Sequence, residues 1–152
     1  MQVNLNVNGE ARQMTIQPGE TLLEVLRRLG YLGIKHGCED GSCGVCTILL
    51  DGKAVHSCIL LAAQAEGCSI TTIEGIGSRD HLHPLQAAFV KNGAVQCGYC
   101  TPAMILSAKA LLDEKPHPSE AEVREALSGV LCRCTGYVKP VEAVLSVTEG
   151  GE

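Results

Sequence analysis

The 152-residue chain carries 12 Lys and Arg against 17 Asp and Glu, a formal charge of −5, with 45% hydrophobic residues. That size fits one medium domain or two small ones with limited cores, and the apolar content excludes a disordered chain. With an acidic balance, three Tyr, one Phe and no Trp, the chain lacks both the basic stripe and the stacking platform that nucleic-acid binding needs.

No apolar run is long enough to span a membrane. Met1 to Val7 alternates polar and apolar residues and has none of the features of a secretory signal. A cytoplasmic chain with reduced thiols is therefore expected, and its nine cysteines read as metal ligands before disulfides.

In chain order, Val3, Leu5 and Val7 alternate with polar residues, Asn8-Gly9 signals a two-residue turn, and Ala11 to Ile16 reads as the returning strand of a hairpin. Thr21 with Glu24 forms a capping box for a helix whose apolar face is Leu22, Leu23, Val25, Leu26 and Leu29, ending at Gly30. Gly33 to Gly44 reads as a loop. Cys46 to Leu50, a turn at Asp51-Gly52, and Lys53 to Ser57 predict a second hairpin, and Ser69 to Ile73 a last strand. This half is α+β. After a linker at Glu74 to Ser78 the pattern turns helical. One helix opens at His83-Pro84, a second has Thr101 as N-cap with Pro102 at its first position, a third begins with the Ser119 and Glu122 capping box, and a fourth runs from Val141 to Val147. A compact four-helix bundle is expected, with residues 1–76 and 77–152 as two domains. Positive hydropathy at this size, with Leu106, Leu111 and Leu112 on short helices, predicts apolar surface left over for a partner.

Eight of the nine cysteines fall into two sets. Cys38, Cys43 and Cys46 are spaced C-x4-C-x2-C with Cys58 beyond the next hairpin, the plant-type [2Fe-2S] spacing. Glycines at 37, 41 and 44 let the backbone approach inorganic sulfide and adopt φ > 0. Cys97, Cys100, Cys132 and Cys134 are spaced C-x2-C and C-x-C at helix ends, where backbone N–H groups stabilise an anionic group. A thioredoxin-like pair at Cys97 and Cys100 would need a βαβ context that the helical flanks do not supply. Two four-thiolate zinc sites, forming a structural or interaction module, are the stronger alternative, although zinc favours paired C-x2-4-C knuckles over three cysteines on one loop. His36 and His56 read as ordinary loop histidines beside a complete four-cysteine set, and His81, His83 and His117 as solvated or capping residues. Cys68 reads as a buried free thiol. No G-x-G-x-x-G or G-x-x-x-x-G-K-[ST] is present, and no catalytic triad stands out, so the chain reads as an electron carrier without a substrate site of its own.

Three strings, Gly37-Cys38-Glu39-Asp40-Gly41-Ser42-Cys43-Gly44-Val45-Cys46-Thr47, Gln96-Cys97-Gly98-Tyr99-Cys100-Thr101-Pro102 and Leu131-Cys132-Arg133-Cys134-Thr135-Gly136-Tyr137, closely resemble the small iron-sulfur subunit of the molybdenum hydroxylases, the xanthine dehydrogenase, aldehyde oxidoreductase and carbon monoxide dehydrogenase family. The likeness runs over nearly the whole chain. It implies a ferredoxin-like β-grasp domain followed by a helical domain, two [2Fe-2S] clusters, a large partner subunit holding molybdopterin beside the second cluster, and a medium FAD-binding subunit or another acceptor facing the first. It further implies that Gln96 looks toward the pterin. Val45 stands where the family commonly has Ala, a difference that falls on packing near the first cluster.

Overall fold

The computed structural model describes residues 1–149. β1 (Gln2–Val7) and β2 (Glu10–Thr15) form an antiparallel hairpin. Its turn residues Asn8 and Gly9 both have positive φ (53° and 82°), the conformation that matches strand twist and that Asn-Gly adopts most readily. Asn8 does more than turn the chain: its side-chain oxygen accepts from the Thr72 amide at 2.9 Å and its amide donates to the Thr72 hydroxyl at 3.0 Å. The hairpin is thereby tied to the far end of the domain.

α1 (Leu22–Arg28) carries the expected capping box between Thr21 and Glu24. Its Leu22, Leu23, Val25 and Leu26 pack against Val3, Leu5, Val7, Ile48 and Ile70 of the sheet. β3 (Thr47–Leu50) and β4 (Lys53–His56) make the second hairpin around Asp51-Gly52, again with both φ positive. β5 (Ser69–Thr71) pairs parallel with β1 and antiparallel with β3, which gives the order β2-β1-β5-β3-β4. Placing the last strand at the centre is what a β-grasp sheet does, and it lets α1 cover one face. The strand is shorter than the apolar run Ser69 to Ile73 implies, because Ile73–Gly75 winds into a 3₁₀ turn toward the second half.

The second half is four helices, α2 (Pro84–Lys91), α3 (Thr101–Glu114), α4 (Glu120–Ser128) and α5 (Val138–Glu149). Phe89, Met104, Ile105, Val123, Leu127 and Val144 are among the residues of their shared core. His83 caps α2, its Nδ1 accepting from the Leu85 amide at 3.2 Å. α3 departs by one residue from the sequence expectation. Cys100, with helical φ/ψ of −81° and −15°, is its N-cap, so Thr101 and Pro102 already lie in the first turn. Pro is tolerated there because first-turn N–H groups have no intrahelical acceptor.

The apolar surplus is also placed differently. Leu106 is fully buried, and Leu111 and Leu112 are half-buried against the helical core, since α3 is flanked by α2 and α4 and also packs on β3 and β4. Leu82, Val90 and Val95 are among the exposed apolar side chains instead. The contact between α3 and β3 explains why Ile48 and Leu49, on opposite faces of one strand, are both buried. No helix of the described residues is long and apolar enough to cross a membrane.

Candidate metal centres

The first thiol set lies on the loop that leaves α1 and enters β3. Cys38, Cys43 and Cys46 come from this loop, and Cys58 from the 3₁₀ turn Ser57–Ile59 after β4. Two devices bring Cys58 to the loop. β3 pairs with β4 in a register that sets Thr47 against His56, and the buried Ser57 hydroxyl donates to the Cys46 carbonyl at 2.8 Å. The loop itself is shaped by an Asx turn, with the Ser42 amide donating to Asp40 Oδ1 at 3.0 Å, and by Thr47, whose hydroxyl donates to the Gly44 carbonyl at 2.6 Å. Gly41 and Gly44 have φ of +80° and +67°, so the two positions where the loop reverses are closed to most side chains.

The second set joins the loop before α3 to the loop between α4 and α5. Cys100 is buried at the N-terminus of α3, Cys132 is half-buried, and Cys97 and Cys134 are exposed. Tyr137 holds the second of these loops. Its hydroxyl accepts from the Cys132 amide at 2.9 Å and donates to the Val130 carbonyl at 3.1 Å, while its own backbone sits at φ 68°, an unusual conformation for a bulky residue. Thr135 completes the turn, its hydroxyl 3.1 Å and its amide 3.4 Å from Cys132 Sγ.

The thiols meet in pairs: Cys43 with Cys38, Cys58 with Cys46, Cys100 with Cys132, and Cys134 with Cys97. Each set holds one thiol brought down to about 7 and one pushed up to about 12. The Cys43 amide, donating to the sulfur, lowers Cys38 to about 7; burial pushes Cys58 up to about 12. At the other site, burial acts to raise Cys132, but the Thr135 hydroxyl and amide and the Cys134 amide outweigh it and leave the thiol at about 7. Burial pushes Cys100 up to about 12. Thiols of this second kind ionise when a cation supplies the compensating charge, since a coordinating thiol is deprotonated outright. Four soft thiol donors per site, glycine-permitted loops and amides aimed at sulfur fit an iron-sulfur group.

Other predicted residues fall as follows. Cys68 is half-buried, not buried: it lies in the turn before β5, where the pleat that buries Ile70 has not begun, with its sulfur 4.0 Å from the Gln64 carbonyl. Burial and the nearby Asp51 carboxylate push its thiol up. His36 is exposed and its Nε2 stands 3.8 Å from Glu39; it belongs to neither thiol set. Gln96 is exposed, its side-chain amide donating to the Cys134 carbonyl at 3.3 Å, so it joins the two loops of the second set at their solvent edge. Val45 is buried in the helical core although it belongs to the first loop. Its Cγ2 lies 2.7 Å from where a Cβ on Gly37 would stand, so the extra bulk relative to Ala is taken up between the loop and the helices. Sequence reasoning passed over the roles of Tyr99 and Tyr137. The available signal was that two of only four aromatic residues in the chain stand inside the cysteine strings.

Residues 5–70 match the 2Fe-2S iron-sulfur cluster binding domain and residues 72–145 the [2Fe-2S] binding domain. The chain is 49% identical over 148 residues to the nicotinate dehydrogenase small FeS subunit of Eubacterium barkeri, covering 97% of this chain and 94% of that protein. It is 52% identical over 146 residues to the nicotine 6-hydroxylase small subunit of Paenarthrobacter nicotinovorans, covering 95% and 88%. Its fold superposes on quinoline 2-oxidoreductase from Pseudomonas putida 86 with a TM-score of 0.93 at 46% identity, over 98% of this chain and 94% of that one. The aldehyde oxidoreductase of Desulfovibrio desulfuricans ATCC 27774 gives a TM-score of 0.93 at 48% identity, over 97% of this chain but only 17% of that one. The protein thus belongs to the small iron-sulfur subunits of the molybdenum hydroxylase family, and it is part of an oxidoreductase. The zinc-module alternative finds no support.

Proposed function

We propose that Cys38, Cys43, Cys46 and Cys58 hold one [2Fe-2S] cluster, that Cys97, Cys100, Cys132 and Cys134 hold a second, and that the chain carries electrons between partner subunits. The observation that carries this reading is the pairing of eight thiols into two groups of four, one in each half. Bound clusters supply one-electron acceptors and donors. The chain's own residues do the rest. Amides of Cys43 and Thr135 hold charge on Cys38 and Cys132, and the buried Cys100 and the Ser57-anchored Cys58 fix each site against the protein interior.

The partners in this reading are a large molybdopterin-binding subunit, beside the exposed Cys97 and Cys134, and an FAD-binding subunit or other acceptor near the first loop. The names of the relatives as small subunits support a heteromeric assembly. Gln96, at the solvent edge of the second set, would meet the pterin with its side-chain carbonyl and the amide hydrogen not donated to Cys134. Nine unpaired cysteines suit a cytoplasmic location, where thiols stay reduced. The division is placed at 76/77, between a sheet core and a helical core, with Val45, Ile73 and Ile76 of the first half packed in the helical one.

The test is to purify the chain with its co-eluting partners, identify those by mass, and count iron. About four irons per chain are expected, two for each four-cysteine site. Ser at any cysteine of one set should abolish one paramagnetic signal of the reduced protein and leave the other detectable. Gln96→Ala should keep both signals while pterin retention falls. Stoichiometric zinc without visible absorbance would refute the cluster assignment.

A further inference from the structure

The two thiol sets belong to different halves of the chain, yet three contacts join the loops that carry them. Leu131, immediately before Cys132, donates its amide to the Cys43 carbonyl at 2.9 Å. Gly44, immediately after Cys43, lies so close to the end of α4 that a Cβ there would stand 1.9 Å from the Gly129 carbonyl oxygen. The third contact is made by a side chain. Tyr99, between Cys97 and Cys100, donates its hydroxyl to the His36 carbonyl at 2.6 Å, and its Cε1 lies 3.7 Å from the Cβ position of Gly37.

Tyr99 is 45% exposed, so burial of its ring is not its main contribution. Its hydroxyl is used on the backbone of the other loop, 63 residues away in sequence, two positions before Cys38. The first loop has little regular structure of its own between Gly33 and Cys46. Its form therefore depends on contacts with what surrounds it, and each outside hydrogen bond lowers the population of open conformers.

We propose that Tyr99 is a positioning residue that ties the first thiol loop to the second, so that the two sites are held as one unit with a fixed mutual geometry. The Leu131 and Gly44 contacts set the backbones of the two loops against each other at one edge, and the Tyr99 hydroxyl closes the other. Removing that hydroxyl affects the first set, although Tyr99 stands in the second. The spectroscopic part of the inference rests on the two-cluster reading; the contact itself does not.

The experiment compares the full-length protein with its Tyr99→Phe variant, which keeps the ring and loses only the donor. Iron is counted first, and about four irons per chain are expected in both. Amide hydrogen exchange is then read segment by segment. The variant should exchange roughly three- to tenfold faster across residues 36–46, the effect of losing one hydrogen bond, with α3 and β1 unchanged. In the reduced protein at low temperature, magnetic interaction between the two paramagnets should become weaker or more broadly distributed in the variant at equal iron content, which a plain loss of stability does not produce. Wild-type exchange across 36–46 and an unaltered magnetic interaction would overturn the proposal, as would changes confined to residues 97–101. If the wild-type protein held no iron, the cluster reading would fail, and the exchange comparison would still decide whether Tyr99 ties the loops.

Discussion

Gly44 and Gly129 face each other across the junction of the two halves, but they are not equivalent. Gly44 has φ +67° and no room for a Cβ, whereas Gly129 has φ −72° as the C-cap of α4, with open space where its Cβ would be. Gly44→Ala should therefore cost roughly 2–4 kcal/mol through backbone strain and a clash with a carbonyl that cannot rotate away. Gly129→Ala should be neutral or stabilise by about 0.4–1 kcal/mol by restricting the unfolded chain. Thermal or denaturant unfolding of the two variants checks this, and a Gly44→Ala protein as stable as wild type would show that the halves are not apposed as described. The contrast is invisible in sequence, where both are loop glycines near a cysteine.

Capping explains why the helical elements begin where they do, and it makes one of them sensitive to acid. At the start of α4, Glu122 accepts from the Ser119 amide at 2.8 Å and pairs with Lys115 at 2.6 Å. The Lys115 ammonium, the Ser119 amide and the Ser119 hydroxyl together hold its carboxyl at about 2, against 4.5 ordinarily. Because the folded value is the lower one, the stabilisation is fully present above the unfolded value and is lost as pH falls toward the folded one. The difference in Tm between wild type and Glu122→Gln should thus shrink as pH is lowered from about 5 to about 2. A constant difference over that range would mean that the charge contributes nothing. Capping boxes at Thr21 and Ser119 were legible in the sequence because their chemistry is local. The start of α3 was misplaced by one residue because the helical conformation of Cys100 is set by the thiol loop it closes.

At the scale of the whole molecule, three of the exposed apolar side chains gather around one groove. Leu82, Val90 and Val95 are exposed, Val90 at 68%, beside a groove of about 210 Å³ that Ile73, Pro102 and Ile105 also line. In the Desulfovibrio desulfuricans enzyme the same fold is 17% of a longer continuous chain. Expressed alone, this protein should aggregate or lose iron faster than with the proposed large partner, and Val90→Ser should reduce that aggregation while weakening retention by that partner. Light scattering and co-purification read the two effects. A fully loaded monomer indifferent to partners and to Val90→Ser would count against an interface here.

The amino-acid sequence by itself determined the class of each half, both hairpin turns, the helix caps at Thr21, His83 and Ser119, and the grouping of eight cysteines into two sets. These depend on residues a few positions apart, whose turn, cap and ligand chemistry is readable at short range. Only the tertiary structure decided which surfaces remain apolar, that Leu106 is buried while Cys68 is half-exposed, and that Val45 leaves its own loop to pack among the helices. It alone brought Tyr99 to His36, Leu131 to Cys43 and Gly44 to Gly129. Such pairings join residues dozens of positions apart through packing of α3 on β3 and closure of the core, and no local pattern encodes them.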